Sequence, residues 1–126
     1  MSAPEHRIEI EVETRYVEEQ SDPAGDRYVF AYTITILNAG TRAAQLLARR
    51  WVITDANGRV QEVEGEGVVG QQPVLRPGEA FRYTSGAMLE TPLGSMEGVY
   101  RLVDEAGVGF EAEIPRFTLA VPGILH

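Results

Sequence analysis

Gly65-Glu66-Gly67-Val68-Val69-Gly70-Gln71-Gln72-Pro73 decides the fold class, because it spells GxGxxG where a dinucleotide fingerprint cannot work. In a dinucleotide fold the glycines end a strand and open a helix, whose N-terminal amides receive the pyrophosphate. Here Pro73 follows at once and Pro77-Gly78 comes soon after, so no helix of useful length can start. The motif therefore belongs to a loop between strands.

Outward from this loop the chain alternates with period two. Ile8, Ile10 and Val12 interleave with Glu9, Glu11 and Glu13, and the pattern continues through Thr14 and Tyr16. After the turn cluster Gln20 to Asp26, alternate positions Tyr28, Phe30, Tyr32, Ile34 and Ile36 mark a longer strand ending at Asn38-Ala39-Gly40. Leu47 to Asp55 carries the only tryptophan, and Asn57-Gly58 supplies a two-residue hairpin turn into Val60 to Val63. Leu75-Arg76-Pro77-Gly78-Glu79 reads as a turn, Ala80 to Ser85 as a further strand, and Pro92-Leu93-Gly94 as another break. Gly98 to Val103 and Phe110 to Val121 complete the set. About seven short antiparallel strands with no helical periodicity predict an all-β, immunoglobulin-like sandwich. Trp51 on the third strand is expected in its core. Tyr100, two residues after Gly98, is also placed there, with the spacing of a tyrosine corner.

The 126 residues fit one domain, 1–126, with residues 1–6 expected to form a flexible N-terminal segment. No apolar run approaches the roughly 20 residues of a membrane span, and the N-terminus does not read as a secretory signal. A cytoplasmic location without membrane insertion follows as an expectation. Cysteine is absent, which removes disulfides, thiolate metal sites and thiol catalysis. The net charge of −8, with arginine supplying all 11 basic residues, disfavours nucleic acid as a partner.

Catalysis has few candidates. A serine–histidine–acid set needs a histidine that packing can orient, and the two histidines, His6 and His126, stand at ends expected to fray. A histidine metal site is disfavoured for the same reason, and nothing marks a cleft for paired carboxylates. The chain is read as non-enzymatic. Glu9, Glu11 and Glu13 would attract divalent cations only weakly, since residues two apart in a strand lie about 7 Å apart and do not converge on one ion. No resident cofactor is expected.

Gly65, Gly67 and Gly70 have two readings. One is a backbone nest for phosphate, with Arg76 and Arg82, and Arg59 as a further candidate, balancing charge. The other is architectural: positive φ and close backbone approach at a crossing between sheets. Flanking Glu62, Glu64 and Glu66 oppose phosphate and favour architecture. Either way the loop can serve as a protein contact, to which Val68, Val69, Met88 and Leu89 would add an apolar patch if exposed together.

Arg50-Trp51-Val52-Ile53-Thr54-Asp55, Gly65 to Gly70 with Gln72-Pro73, Leu75 to Glu79, Tyr83-Thr84-Ser85-Gly86 and Met96-Glu97-Gly98-Val99-Tyr100 occur in an order and spacing that resemble the bacterial ApaG family. The resemblance runs from about Arg7 to His126. It implies a fibronectin type III-like sandwich in a small cytoplasmic protein. Related domains are fused to F-box proteins and occur in a polymerase-delta-interacting protein, which implies a protein-interaction role. The bacterial family is associated with cobalt tolerance and magnesium efflux, and its gene neighbours those of a diadenosine tetraphosphatase and an rRNA dimethyltransferase. The expected function is thus non-catalytic binding of a protein partner, as a monomer or homodimer. The alternative is binding of a nucleotide or pyrophosphate, or hydrolysis of a dinucleoside polyphosphate, through the glycine loop.

Overall fold

The computed structural model describes residues 4–124. Eight strands follow in order: β1 (Ile8–Tyr16), β2 (Tyr28–Asn38), β3 (Ala44–Asp55), β4 (Val60–Glu66), β5 (Val74–Leu75), β6 (Ala80–Leu89), β7 (Leu93–Asp104) and β8 (Gly109–Ala120). Two short 3₁₀ turns, Glu18–Gln20 and Pro23–Gly25, occupy the link between β1 and β2. β1-β2-β6 form a small antiparallel sheet, and β4-β3-β7-β8 form a larger one, whose β3 also pairs with β5.

Period-two patterning accounts for the core. Phe30, Tyr32, Ile34 and Ile36 are buried on the inner face of β2, and Tyr100 and Leu102 on that of β7. Trp51 is buried between the sheets, edge-on to Tyr32, Tyr100 and Phe117 with ring centroids 5.4, 6.4 and 5.9 Å away.

Two strands reverse parity midway. On β3, Leu46 pairs with Leu102 and Ala48 with Arg101, leaving Leu47 as an extra residue. This bulge lets both Leu46 and Trp51, five positions apart, face inward. On β8, Met96 opposes Phe117 and Gly98 opposes Ile114, so Pro115 and Arg116 together face Glu97. The bulge accommodates a proline that a regular ladder would reject.

Several boundaries differ from the sequence reading. The two-residue β5 is an additional strand, paired with the start of β3. β6 runs on to Leu89, and β7 already begins at Leu93. Gly94 lies within β7, paired with Asp55 and Leu119, and a glycine is needed there because the Thr54 carbonyl and the Leu89 side chain would each stand 2.6 Å from a Cβ. The glycine segment does not cross between sheets, since both β4 and β5 pair with β3. The crossing comes later, at Arg76 to Glu79. There the buried Asn38 donates to the carbonyls of Arg42 and Leu75, and the backbones of Asn38, Gly78 and Glu79 bond one another.

Residues 4–6, within the N-terminal segment expected to be flexible, lie against the sandwich. Thr41 N–H donates to the carbonyls of Pro4 and Glu5, and His6 stacks on Phe110 at 3.9 Å with its Nε2 2.8 Å from Asp104 Oδ2. His6 is therefore oriented by packing rather than frayed. His126 lies outside the described residues.

Candidate functional site

The glycine segment is built around the β3 bulge. Gly67 N–H and the Gln72 side-chain amide both donate to the Leu47 carbonyl, at 2.8 and 2.9 Å, so the segment satisfies an acceptor at the bulge. Val68 and Gln71 then exchange two backbone bonds of 2.9 Å around a two-residue turn. Both central residues have positive φ, 42° at Val69 and 79° at Gly70, as a type I′ turn requires. Asparagine is the usual first residue of such a turn, and a β-branched side chain there is strained. Gly67 has φ 63°, and a Cβ on it would collide with the Gln71 carbonyl oxygen.

The cation at this motif is Arg49. Its Nη1 donates to the carbonyls of Glu66 and Gly67, at 3.1 and 3.2 Å, and its guanidinium lies against Gly65, where any Cβ would strike it. Arg76 and Arg82 do not join it. Arg82 is exposed and pairs with Glu13 at 3.2 Å, while Arg76 is exposed in the turn before β6, its N–H bonded to Glu79 Oε1 at 2.8 Å. Arg59 pairs with Glu90 at 3.0 Å. The amides of Gly67 and Val68 are spent on protein carbonyls, so the segment is not an assembled phosphate nest of the kind the spelling suggests. Arg49 is not marked by the glycine motif, but it stands two residues before Trp51 and so shares that residue's face of β3.

Beneath the turn, between β4 and β6, lies a cleft of about 360 Å³. Tyr32, Trp51, Tyr83 and Met96 line it, with Arg49, Glu66 and the Val68-Val69-Gly70 turn along one side and Ser85-Gly86 along the other. The hydroxyls of Tyr83 and Tyr100 bond each other. Burial pushes both phenols well above the usual tyrosine range, which keeps them neutral hydrogen-bonding groups rather than acids or bases at physiological pH. A smaller hollow under Met88 and Leu89 shares Ile53 with the cleft. Val68 and Leu89 are buried, whereas Val69 and Met88 are about half exposed, so the four do not form one surface patch.

Elsewhere, Glu9, Glu11 and Glu13 line the exposed face of β1, with Glu9 pairing with Arg7 and Glu13 with Arg82. Among the described residues no group of three or more His, Asp or Glu side chains gathers as a metal site. Among those residues no helix is long and apolar enough to cross a membrane. Tyr100 bonds a side chain on the opposite sheet, so it does not form the backbone-tied tyrosine corner that its spacing suggested.

Two antiparallel sheets packed face to face, three strands against a ladder of four, define an all-β sandwich of the fibronectin type III kind, here with a cleft at the open edge between β4 and β6. The ApaG domain pattern matches residues 18–104, and the chain belongs to the ApaG family. It is 65% identical over 121 residues to Protein ApaG of Thiobacillus denitrificans, covering 96% of this chain and 95% of that one. It is 57% identical over 120 residues to Protein ApaG of Escherichia coli, covering 95% and 96%. A crystal structure of a Bordetella pertussis protein described as ApaA superposes with a TM-score of 0.94 at 52% identity, over 97% of this chain and 99% of that one.

Proposed function

We propose that this chain is a non-catalytic recognition module that binds a partner protein in the cleft between β4 and β6, under the Val69-Gly70 turn. The observation that carries the reading is Val69. A β-branched residue is held at φ 42° and half exposed at the rim of an aromatic cleft, where asparagine or glycine would relieve the strain. Strain of this kind persists where a side chain is needed at a surface. The pyrophosphate reading has less support, because two amides of the motif are used internally and Glu62, Glu64 and Glu66 stand on the adjoining strand. The family's association with cobalt tolerance and magnesium efflux fits an effect exerted through a partner, since the acidic residues of β1 do not converge on one ion.

Site-specific photo-crosslinking in living cells tests the reading. A photoreactive residue at position 69 should give a discrete protein adduct, competed by excess unlabelled chain, and one at Thr33 on the outer face of the small sheet should not. Equal labelling from both positions, or none from position 69, overturns it.

A further inference from the structure

Arg27, Arg49, Arg76 and Arg101 form no ion pair among the described residues, and of these only Arg49 is partly buried. Its charge is met by two carbonyl dipoles on Nη1, which leaves Nε and Nη2, the edge with which arginine grips a carboxylate bidentately. A half-buried guanidinium held by dipoles alone gains from a counter-ion. Glu66 lines the same mouth without pairing to it. The net charge of −8 and the glutamates of β4 penalise a polyanion far more than a single planar carboxylate. The floor below, with Tyr32, Trp51 and Tyr83, is suited to an apolar group attached to that carboxylate.

The cleft also has a direction. Among the described residues β6 is an edge strand, paired only with β2, so its far side is open to strand addition. Gly86 opens the rim, since a Cβ there would meet only the Phe30 carbonyl, at 3.5 Å. The groove continues along β6 into the hollow under Met88. We propose that the occupant is the C-terminus of a partner polypeptide with an apolar last residue. It lies antiparallel to β6 over about five residues, with its terminal carboxylate on Arg49 and its last side chain among the aromatic residues of the cleft. This rests on the partner-binding reading and names the chemistry of the same site.

The test uses the full chain and an array of heptapeptides bearing every pairing of Val, Leu, Ile, Met, Phe and Tyr at the last two positions, each as free acid and as C-terminal amide. Trp51, the only tryptophan, reports binding by fluorescence, and amide NMR shifts at Val69, Gly70 and Gly86 report its place. Some free acids should bind saturably, with the matching amides roughly tenfold or more weaker, the loss of one charge-assisted pair. Arg49→Gln should abolish that preference, and Arg49→Lys should retain part of it, which separates lost charge from a disturbed loop. Acid and amide binding equally well overturns the carboxylate assignment while leaving the cleft as a docking site. No response to any peptide overturns both. 3-Phenylpropionate matching the best peptide would make the ligand a small carboxylic acid and overturn the strand-addition part.

Discussion

The hydroxyls of Tyr83 on β6 and Tyr100 on β7 bond each other across the interior, joining the two sheets through a polar contact set among buried apolar side chains. Each satisfies the other, so the pair is sensitive to losing one member and tolerant of losing both. Tyr100→Phe should cost about 1–2 kcal/mol by orphaning the Tyr83 hydroxyl, while the double change Tyr83→Phe/Tyr100→Phe should lie within about 0.5 kcal/mol of the wild type. Urea titrations followed by Trp51 fluorescence measure the cycle. Additive losses would mean that the two hydroxyls act independently.

Alkaline titration should show the same pair. Burial raises both phenol pKa values, so above about pH 10 the unfolded chain releases protons that the folded chain keeps. Their contribution to stability is complete below that pH and is lost as pH rises through the folded values. Phenolate absorbance should show Tyr83 and Tyr100 titrating only as the fold is lost.

Acid stability should depend on His6. The His6 side chain, followed by the amides of Val108 and Ala106, holds the Asp104 carboxyl below the ordinary carboxylate range. The folded chain then binds fewer protons than the unfolded one, so this stabilisation is present above the unfolded carboxyl's value of about 3.9 and fades as pH falls through the lower folded value. His6→Ala should move the acid unfolding midpoint to higher pH, read by circular dichroism. An unchanged midpoint would show that the contact is not maintained in solution.

The glycine turn should separate strain from function. Val69→Asn suits the turn and should stabilise by about 1 kcal/mol, raising the thermal midpoint, while weakening peptide binding at the cleft. Gly67→Ala should cost more than Gly70→Ala, because both sites have positive φ but only Gly67 has a carbonyl in the way. A thermal melt of the three variants checks the order.

Asn38 should prove structural. Its amide donates to two carbonyls and its Oδ1 accepts the Gly40 N–H, all within the buried junction that moors the Leu75 to Glu79 turn. Asn38→Ala should cost about 3 kcal/mol by orphaning these groups, seen as a lower urea midpoint. Binding at the cleft should be preserved in the fraction that remains folded.

Local chemistry made much of the fold legible. Alternation in Tyr28 to Ile36 depends on the pleat alone, and the hairpin after β3 is also local, although its loop is Ala56 to Gly58 rather than the two-residue Asn57-Gly58 turn, with Gly58 alone of that pair at positive φ, 80°. The site was less legible. Its glycines are legible as turn formers, but nearness in sequence points to Arg76 and Arg82, which occupy the turn before β6 and the outer face of the small sheet.

By itself the sequence determined an all-β chain, its principal strands and the exclusion of a helix after the glycines, because steric limits on φ and the period of the pleat act over a few residues. Tertiary structure alone decided that Leu47 bulges, that its carbonyl anchors Gly67 and Gln72, and that Arg49 lies on Gly65 at the mouth of an aromatic cleft. It also decided that His6 closes onto Asp104, 98 residues away. Such contacts depend on register and on which backbone groups a neighbouring strand leaves unpaired, and these are set only when the sheets assemble.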